Sequence, residues 1–170
     1  MTKTDNFKNK SMKKTFIAAE IAAAVCIILL IVFTGGKSVR DDVSLDELKA
    51  AASAVYGSSL NVREAQDREL KKYYGLNAGD YEDIYLALPA SNMDAAEILI
   101  IVMNGREQAG QITDAMNARL EAQINAFESY GVEQMELLNN AVIEAEGRYA
   151  FYISAKNASE VKEALEKLIS

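Results

Sequence analysis

Four side chains recur at helical spacing within one stretch of the chain: Arg119, Gln123, Phe127 and Tyr130. Steps of four and three residues place them on one face of a helix. Such a face could form a polar notch between helix and sheet, with the Arg119 guanidinium anchoring an anion or a carboxylate. The same spacing also admits a purely structural reading. Phe127 and Tyr130 would then be core, Arg119 would pair with an acid at the start of a strand such as Glu97, and Gln123 would bond loop backbone. Arg119, Gln123, Tyr130 and Glu97 are therefore the binding candidates.

The remaining chemistry is thinner. Asp80-Tyr81-Glu82-Asp83 gathers three carboxylates, a set that could hold a hard cation such as calcium. It lacks the alternating ligands and the glycine of an EF-hand loop, and reads as a solvated loop. Hydrolysis of a wall polysaccharide needs two acids roughly 5 to 9 Å apart in a cleft, and 23 acids after residue 36 nominate no pair. Tyr73, Tyr85, Tyr149 and Tyr152 could line a groove, but read more economically as core edges with a wet hydroxyl.

Absences narrow the field further. The sequence has no histidine and no tryptophan, and its one cysteine, Cys26, sits inside an apolar run. Zinc, haem and copper sites rely on His or Cys ligands, so no metal or cofactor is expected. Ser-His and Cys-His nucleophile pairs cannot be built. No P-loop, GxGxxG or nucleophile elbow is present.

The elements that must position these residues follow from patterning. Ser44-Leu45-Asp46-Glu47 is a capping box opening a helix over Leu45–Tyr56, and Gly57 ends it. A second helix is predicted over Val62–Tyr74, stopped by Gly75. Ile84–Leu88 reads as a strand closed by Pro89. Glu97–Met103 is a continuous apolar run suited to a central strand with both faces covered or nearly so. A long helix spans Gln108–Tyr130, with Ile112, Met116, Leu120 and Gln123 on its inward stripe, and a short one Glu133–Asn140. Strands Ala141–Ala145 and Tyr149–Ser154 join around Glu146-Gly147-Arg148. Asn157 to Glu160 is a second capping-box pattern, and the helix after it turns Val161, Ala164, Leu165 and Leu168 inward. The order helix-helix-ββα-ββα predicts an α+β domain over 44–170: a four-stranded, mostly antiparallel sheet with helices packed on one face.

Ahead of this domain lies Phe16–Phe33, 18 residues interrupted only by Glu20. As a helix it covers roughly 27 Å, close to the ~30 Å hydrocarbon core of a bilayer. Five lysines precede it within residues 1–14, whereas Lys37 and Arg40 after it are diluted by Asp41 and Asp42. That asymmetry puts the N-terminus inside and the domain outside. A cleaved signal peptide and a lipid anchor are the competing readings. Thr34-Gly35-Gly36 is a poor cleavage site, and Cys26 follows a valine too early in the run, so a retained anchor is favoured. The expected organisation is a basic cytoplasmic tail at 1–14, a transmembrane signal anchor at 15–34, a linker at 35–43 and the α+β domain.

Residues 37–170 hold 13 basic and 23 acidic side chains, a balance of −10. A folded part so charged repels nucleic acid and anionic headgroups. The expected partners are the bilayer, through 15–34, and an envelope protein or cell-wall component, with no nucleic acid.

An acid entering the second strand (Glu97), Arg119-x-x-x-Gln123-x-x-x-Phe127-x-x-Tyr130 on the long helix, Glu133, and Gly147 before the aromatic Tyr149 strand form a wider pattern. Over roughly residues 44–170 it resembles a widespread family of exported bacterial domains known only as a domain of unknown function. The resemblance implies lipoproteins or single-span anchored proteins of Gram-positive-type bacteria, and no reaction. This chain departs from the lipoprotein members by lacking a usable lipobox. It also has Gly131-Val132 where many relatives place a proline. The expectation is a non-enzymatic interaction module on a membrane anchor. The alternatives are an envelope hydrolase using paired carboxylates and a small-ligand carrier with a notch near Arg119.

Overall fold

The structure, a computed structural model, describes residues 39–57, 60–129 and 131–170. The apolar run 15–34 lies outside the described residues. Among those that are described, no helix is long and apolar enough to cross a membrane.

Five strands form one sheet in the order β1-β2-β3-β5-β4, antiparallel throughout: β1 (Val62–Glu64), β2 (Asp83–Pro89), β3 (Glu97–Val102), β4 (Val142–Glu146) and β5 (Tyr149–Ser154). Among the described residues five α-helices accompany it: α1 (Leu45–Tyr56), α2 (Asp67–Tyr74), α3 (Ala109–Phe127), α4 (Val132–Asn139) and α5 (Ala158–Ile169).

Two expectations are corrected. The sheet has a fifth strand because Val62–Glu64 pairs with Ala87–Pro89 at its edge, so the helix expected from Val62 begins only at Asp67. Its start is marked by Glu69, whose carboxylate accepts the Gln66 amide at 3.0 Å. Nor do the helices share one face. Leu48 and Ala52 of α1 and Val161, Leu165 and Ile169 of α5 pack on Ile98, Ile100, Phe151 and Ile153. On the other face, Leu70 and Tyr74 of α2 and Ile112 and Met116 of α3 pack on Leu99, Ile101 and Tyr152. The physical reason is β3, all six of whose residues are buried. A central strand apolar on both faces needs a layer over each, and a Leu, Ile or Val side chain buried there contributes about 1.5–3 kcal/mol.

The caps divide. Ser44 and Glu47 form the expected box, Glu47 Oε2 accepting the Ser44 amide at 2.9 Å. Asn157 does not cap α5 with its side chain; its Nδ2 donates instead to the Val55 carbonyl at 3.0 Å, pinning α5 to the end of α1.

The stretch expected as a linker is bound to the domain over its described part. Arg40 N–H donates to the Ile169 carbonyl at 2.7 Å, and Asp41 pairs with Arg106 at 3.1 Å. The Tyr149 hydroxyl accepts the Val43 amide at 3.0 Å and lies 3.2 Å from the Val43 carbonyl, to which it donates. Gly147 turns β4 into β5 at φ +61, and a Cβ there would stand 2.5 Å from Val39 Cγ1. Only glycine suits both that backbone and that contact.

Candidate functional site

Glu97 is the first residue of the central strand and is fully buried. Its side chain faces the layer of α2 and α3, the same face as Leu99 and Tyr152. A carboxylate in that position is costly unless donors surround it. Arg119 Nη2 donates to Oε2 at 2.6 Å, and its Nε reaches both oxygens at 3.2 Å. The Tyr74 hydroxyl donates to Oε1 at 2.5 Å and Gln123 Nε2 to Oε2 at 3.0 Å. Tyr152 closes the set, its hydroxyl donating to Gln123 Oε1 at 2.5 Å.

Each partner is placed by its element. Arg119 and Gln123 stand one helical turn apart on α3, whose buried stripe of Ile112, Met116 and Gln123 fixes the rotation that aims them at β3. Tyr74 is the last residue of α2, which stops at Gly75 in the left-handed conformation. The Tyr74 and Tyr152 rings meet edge to face with centroids 6.2 Å apart. The Arg119 guanidinium lies over the Tyr73 ring, 4.6 Å from its centroid.

The electrostatics follow from burial and from Glu97. Burial pushes the Tyr74 hydroxyl well above its ordinary range, and the Glu97 charge pushes the same way. Tyr152 is raised for the same two reasons. Burial works to lower the Arg119 value, and the hydrogen bonds and charge of Glu97 more than offset it, leaving it raised.

Of the four sequence candidates, the structure brings Glu97, Arg119 and Gln123 together, while Tyr130 lies outside the described residues. Gln123 does not bond loop backbone as the structural reading expected; it bridges Glu97 and Tyr152. Phe127 is half-buried rather than core. Tyr74 was missed. Tyr152, expected as a core edge with a wet hydroxyl, is fully buried and its hydroxyl is dry.

Beside the cluster runs a cleft of about 200 Å³, walled by Tyr73, Leu88, Pro89, Ala122 and Phe127, with Arg63, Asn92, Asp94, Arg119 and Gln123 as polar members. Arg63 is itself held by Glu69 at 2.6 Å. A larger open concavity of about 570 Å³ lies where α3 gives way to α4, lined by Glu128, Val132, Met135 and Asn139 among others. Val132 is 87 % exposed there, and Met93, on the β2–β3 loop, is 63 % exposed.

The acids of the sequence's carboxylate cluster are engaged locally. In the Asp80–Asp83 stretch, Asp80 accepts from Asn77, Glu82 pairs with Arg148 and Asp83 accepts the Ile84 amide. Among the described residues, one group of three acids converges, Glu144, Glu146 and Glu166 within 4.8 Å of one another. Lys162 sits on it, 2.6 Å from Glu144 and 3.5 Å from Glu166.

This arrangement accounts for the four-residue step from Arg119 to Gln123 and for Glu97 opposite them, and the family comparison covers the same region. Residues 55–155 match the domain of unknown function DUF4358. The chain belongs to the DUF4358 family. The matched span runs from the end of α1 to the end of β5 and includes every member of the Glu97 cluster. No curated protein and no solved structure matches the chain.

Proposed function

We infer that this DUF4358 chain is a membrane-anchored interaction module. Residues 15–34 act as a single-pass signal anchor, with the N-terminus in the cytoplasm and the domain displayed outside the cytoplasmic membrane. There the domain takes a protein or another envelope component without chemically changing it. The observation that carries this reading is the cluster around Glu97, where Tyr74, Gln123 and the Nε and Nη2 of Arg119 all donate to one buried carboxylate of the fold itself. Its role is to hold α2 and α3 on the sheet. What the domain offers outward is concave surface at the α3–α4 corner, edged by the exposed Val132 and by Met135.

A hydrolase using paired carboxylates finds less support. The converging acids Glu144, Glu146 and Glu166 carry a lysine between them, and an ion-paired acid is a poor base.

The test is photo-crosslinking in intact cells. A photoreactive residue at Val132 is expected to yield a discrete adduct, whereas the same residue at Glu163, exposed on α5, is not. Equal labelling from both positions, or from neither, would contradict the assignment of this corner.

A further inference from the structure

Arg119 has a donor left over. Its Nε and Nη2 are spent on Glu97, and Nη1 meets no acceptor among the described residues. Nor is Nη1 sealed away: the one buried side-chain polar atom without a partner among those residues is Ser154 Oγ. Arg119 lines the neighbouring cleft and keeps 15 % side-chain exposure, which leaves the unspent Nη1 within reach of an occupant there. The guanidinium cannot swing, since Glu97 grips one edge and the Tyr73 ring supports its face. A donor held this way loses little freedom when it binds.

Charge decides what it can bind. Arg119 is balanced by Glu97 and Arg63 by Glu69, each pair closing to 2.6 Å. Asp94, on the rim, accepts the Ala96 amide at 2.9 Å and has no cation against it among the described residues. An anion entering here meets two neutralised arginines and one uncompensated carboxylate. A neutral carbonyl oxygen suits Nη1 better, and a neutral N–H suits Asp94. One amide supplies both. At about 200 Å³ the cleft is smaller than the roughly 300 Å³ at which small-molecule sites begin, so it holds one residue rather than a whole ligand. Leu88, Pro89 and Phe127 give that residue an apolar wall.

We propose that the cleft beside Arg119 takes a single amide-bearing residue of an extended peptide partner, its carbonyl oxygen on Arg119 Nη1 and its N–H turned to Asp94. This rests on the reading of the chain as an interaction module and names the partner chemistry at one point of its surface.

The experiment titrates the full chain in detergent with N-acetylalanine methylamide and, in parallel, with sodium acetate. Binding is followed by NMR on the Arg119 Nε–H and on backbone amides. The amide is expected to shift the Arg119 and Tyr73 signals saturably, with acetate roughly tenfold weaker. Ala122→Leu, an exposed position on the cleft wall, is expected to abolish those shifts and leave the rest of the spectrum in place. Three results would each overturn the proposal: no saturable shift at Arg119, acetate binding as tightly as the amide, or unchanged binding in Ala122→Leu. A crosslink from position 132 with Arg119 silent would sink this subsite alone and leave the interaction module standing.

Discussion

Replacing Glu97 by glutamine isolates the charge at the centre of the fold. The substitution keeps the volume, removes the negative charge and turns an NH2 group into a ring of donors from Arg119, Tyr74 and Gln123. Removing one member of a buried ion pair costs about 3–5 kcal/mol, because the other charge stays behind. Arg119 keeps 15 % exposure toward the cleft, so water recovers part of that cost and the expected loss is about 3 kcal/mol. In a domain of this size that lowers Tm by about 12 °C. The converse change, Arg119→Met, strands a carboxylate with no exposure at all and should cost more, about 4–5 kcal/mol. The double variant Glu97→Leu/Arg119→Leu should lose less than the two single losses combined, since it leaves no orphaned charge. Thermal melts of the full chain followed by circular dichroism measure all of these. A Glu97→Gln protein melting within 2 °C of the parent would refute the structural role of the cluster, at roughly 4 °C per kcal/mol.

Other consequences are independent of that one. Tyr149→Phe removes the hydroxyl that serves both the amide and the carbonyl of Val43 and should cost about 1–2 kcal/mol, with faster amide exchange over Val39–Val43 as the local readout. Gly147→Ala must strain a φ of +61 and push Val39 aside, and is expected to cost about 2 kcal/mol or more in the same melts. Raised tyrosines make the fold alkali-sensitive. Unfolded Tyr74 and Tyr152 ionise near pH 10 while the folded ones stay protonated, so stability is complete below that value. Above it, stability falls by about 1.4 kcal/mol per pH unit for each tyrosine. The Tyr74→Phe/Tyr152→Phe protein should show a flatter alkaline limb. At the acid end, the Arg63 hydrogen bond and the Gln66 amide hold the Glu69 carboxyl down at about 2. Its contribution is present above the ordinary carboxylate range and is lost as pH falls toward 2, and an NMR titration of Glu69 with and without Arg63→Ala checks the midpoint.

The sequence revealed unequal parts of this structure. β3 and β5 were legible because Ile98–Val102 and Tyr149–Ile153 are runs without a charged residue, bounded by turn residues. The same run in β3 pointed to cover on both faces, yet nothing local assigns α1 and α5 to one side and α2 and α3 to the other. That sorting follows from which strand face each helix meets after the chain has turned. β1 was illegible: Val62-Arg63-Glu64 has one apolar residue and becomes a strand only because β2 offers it an edge. Within the site, the Arg119–Glu97 pair could be anticipated from a helix face looking toward an acid at a strand start. Tyr74 could not, because it carries no charge to pair with Glu97 and only the packing of α2 on the sheet brings its hydroxyl to that carboxylate. For Tyr152 the strand pattern indicates a buried ring, and only the α3 rotation shows that Gln123 dries its hydroxyl.

The central claim is that residues 15–34 hold the folded domain outside the cytoplasmic membrane. It is tested most directly by thiol labelling of Glu160→Cys, an exposed position on α5, in a Cys26→Ser background. An impermeant maleimide should label this protein on intact cells to the same extent as after lysis. Labelling that appears only after lysis would put the domain inside and contradict the account.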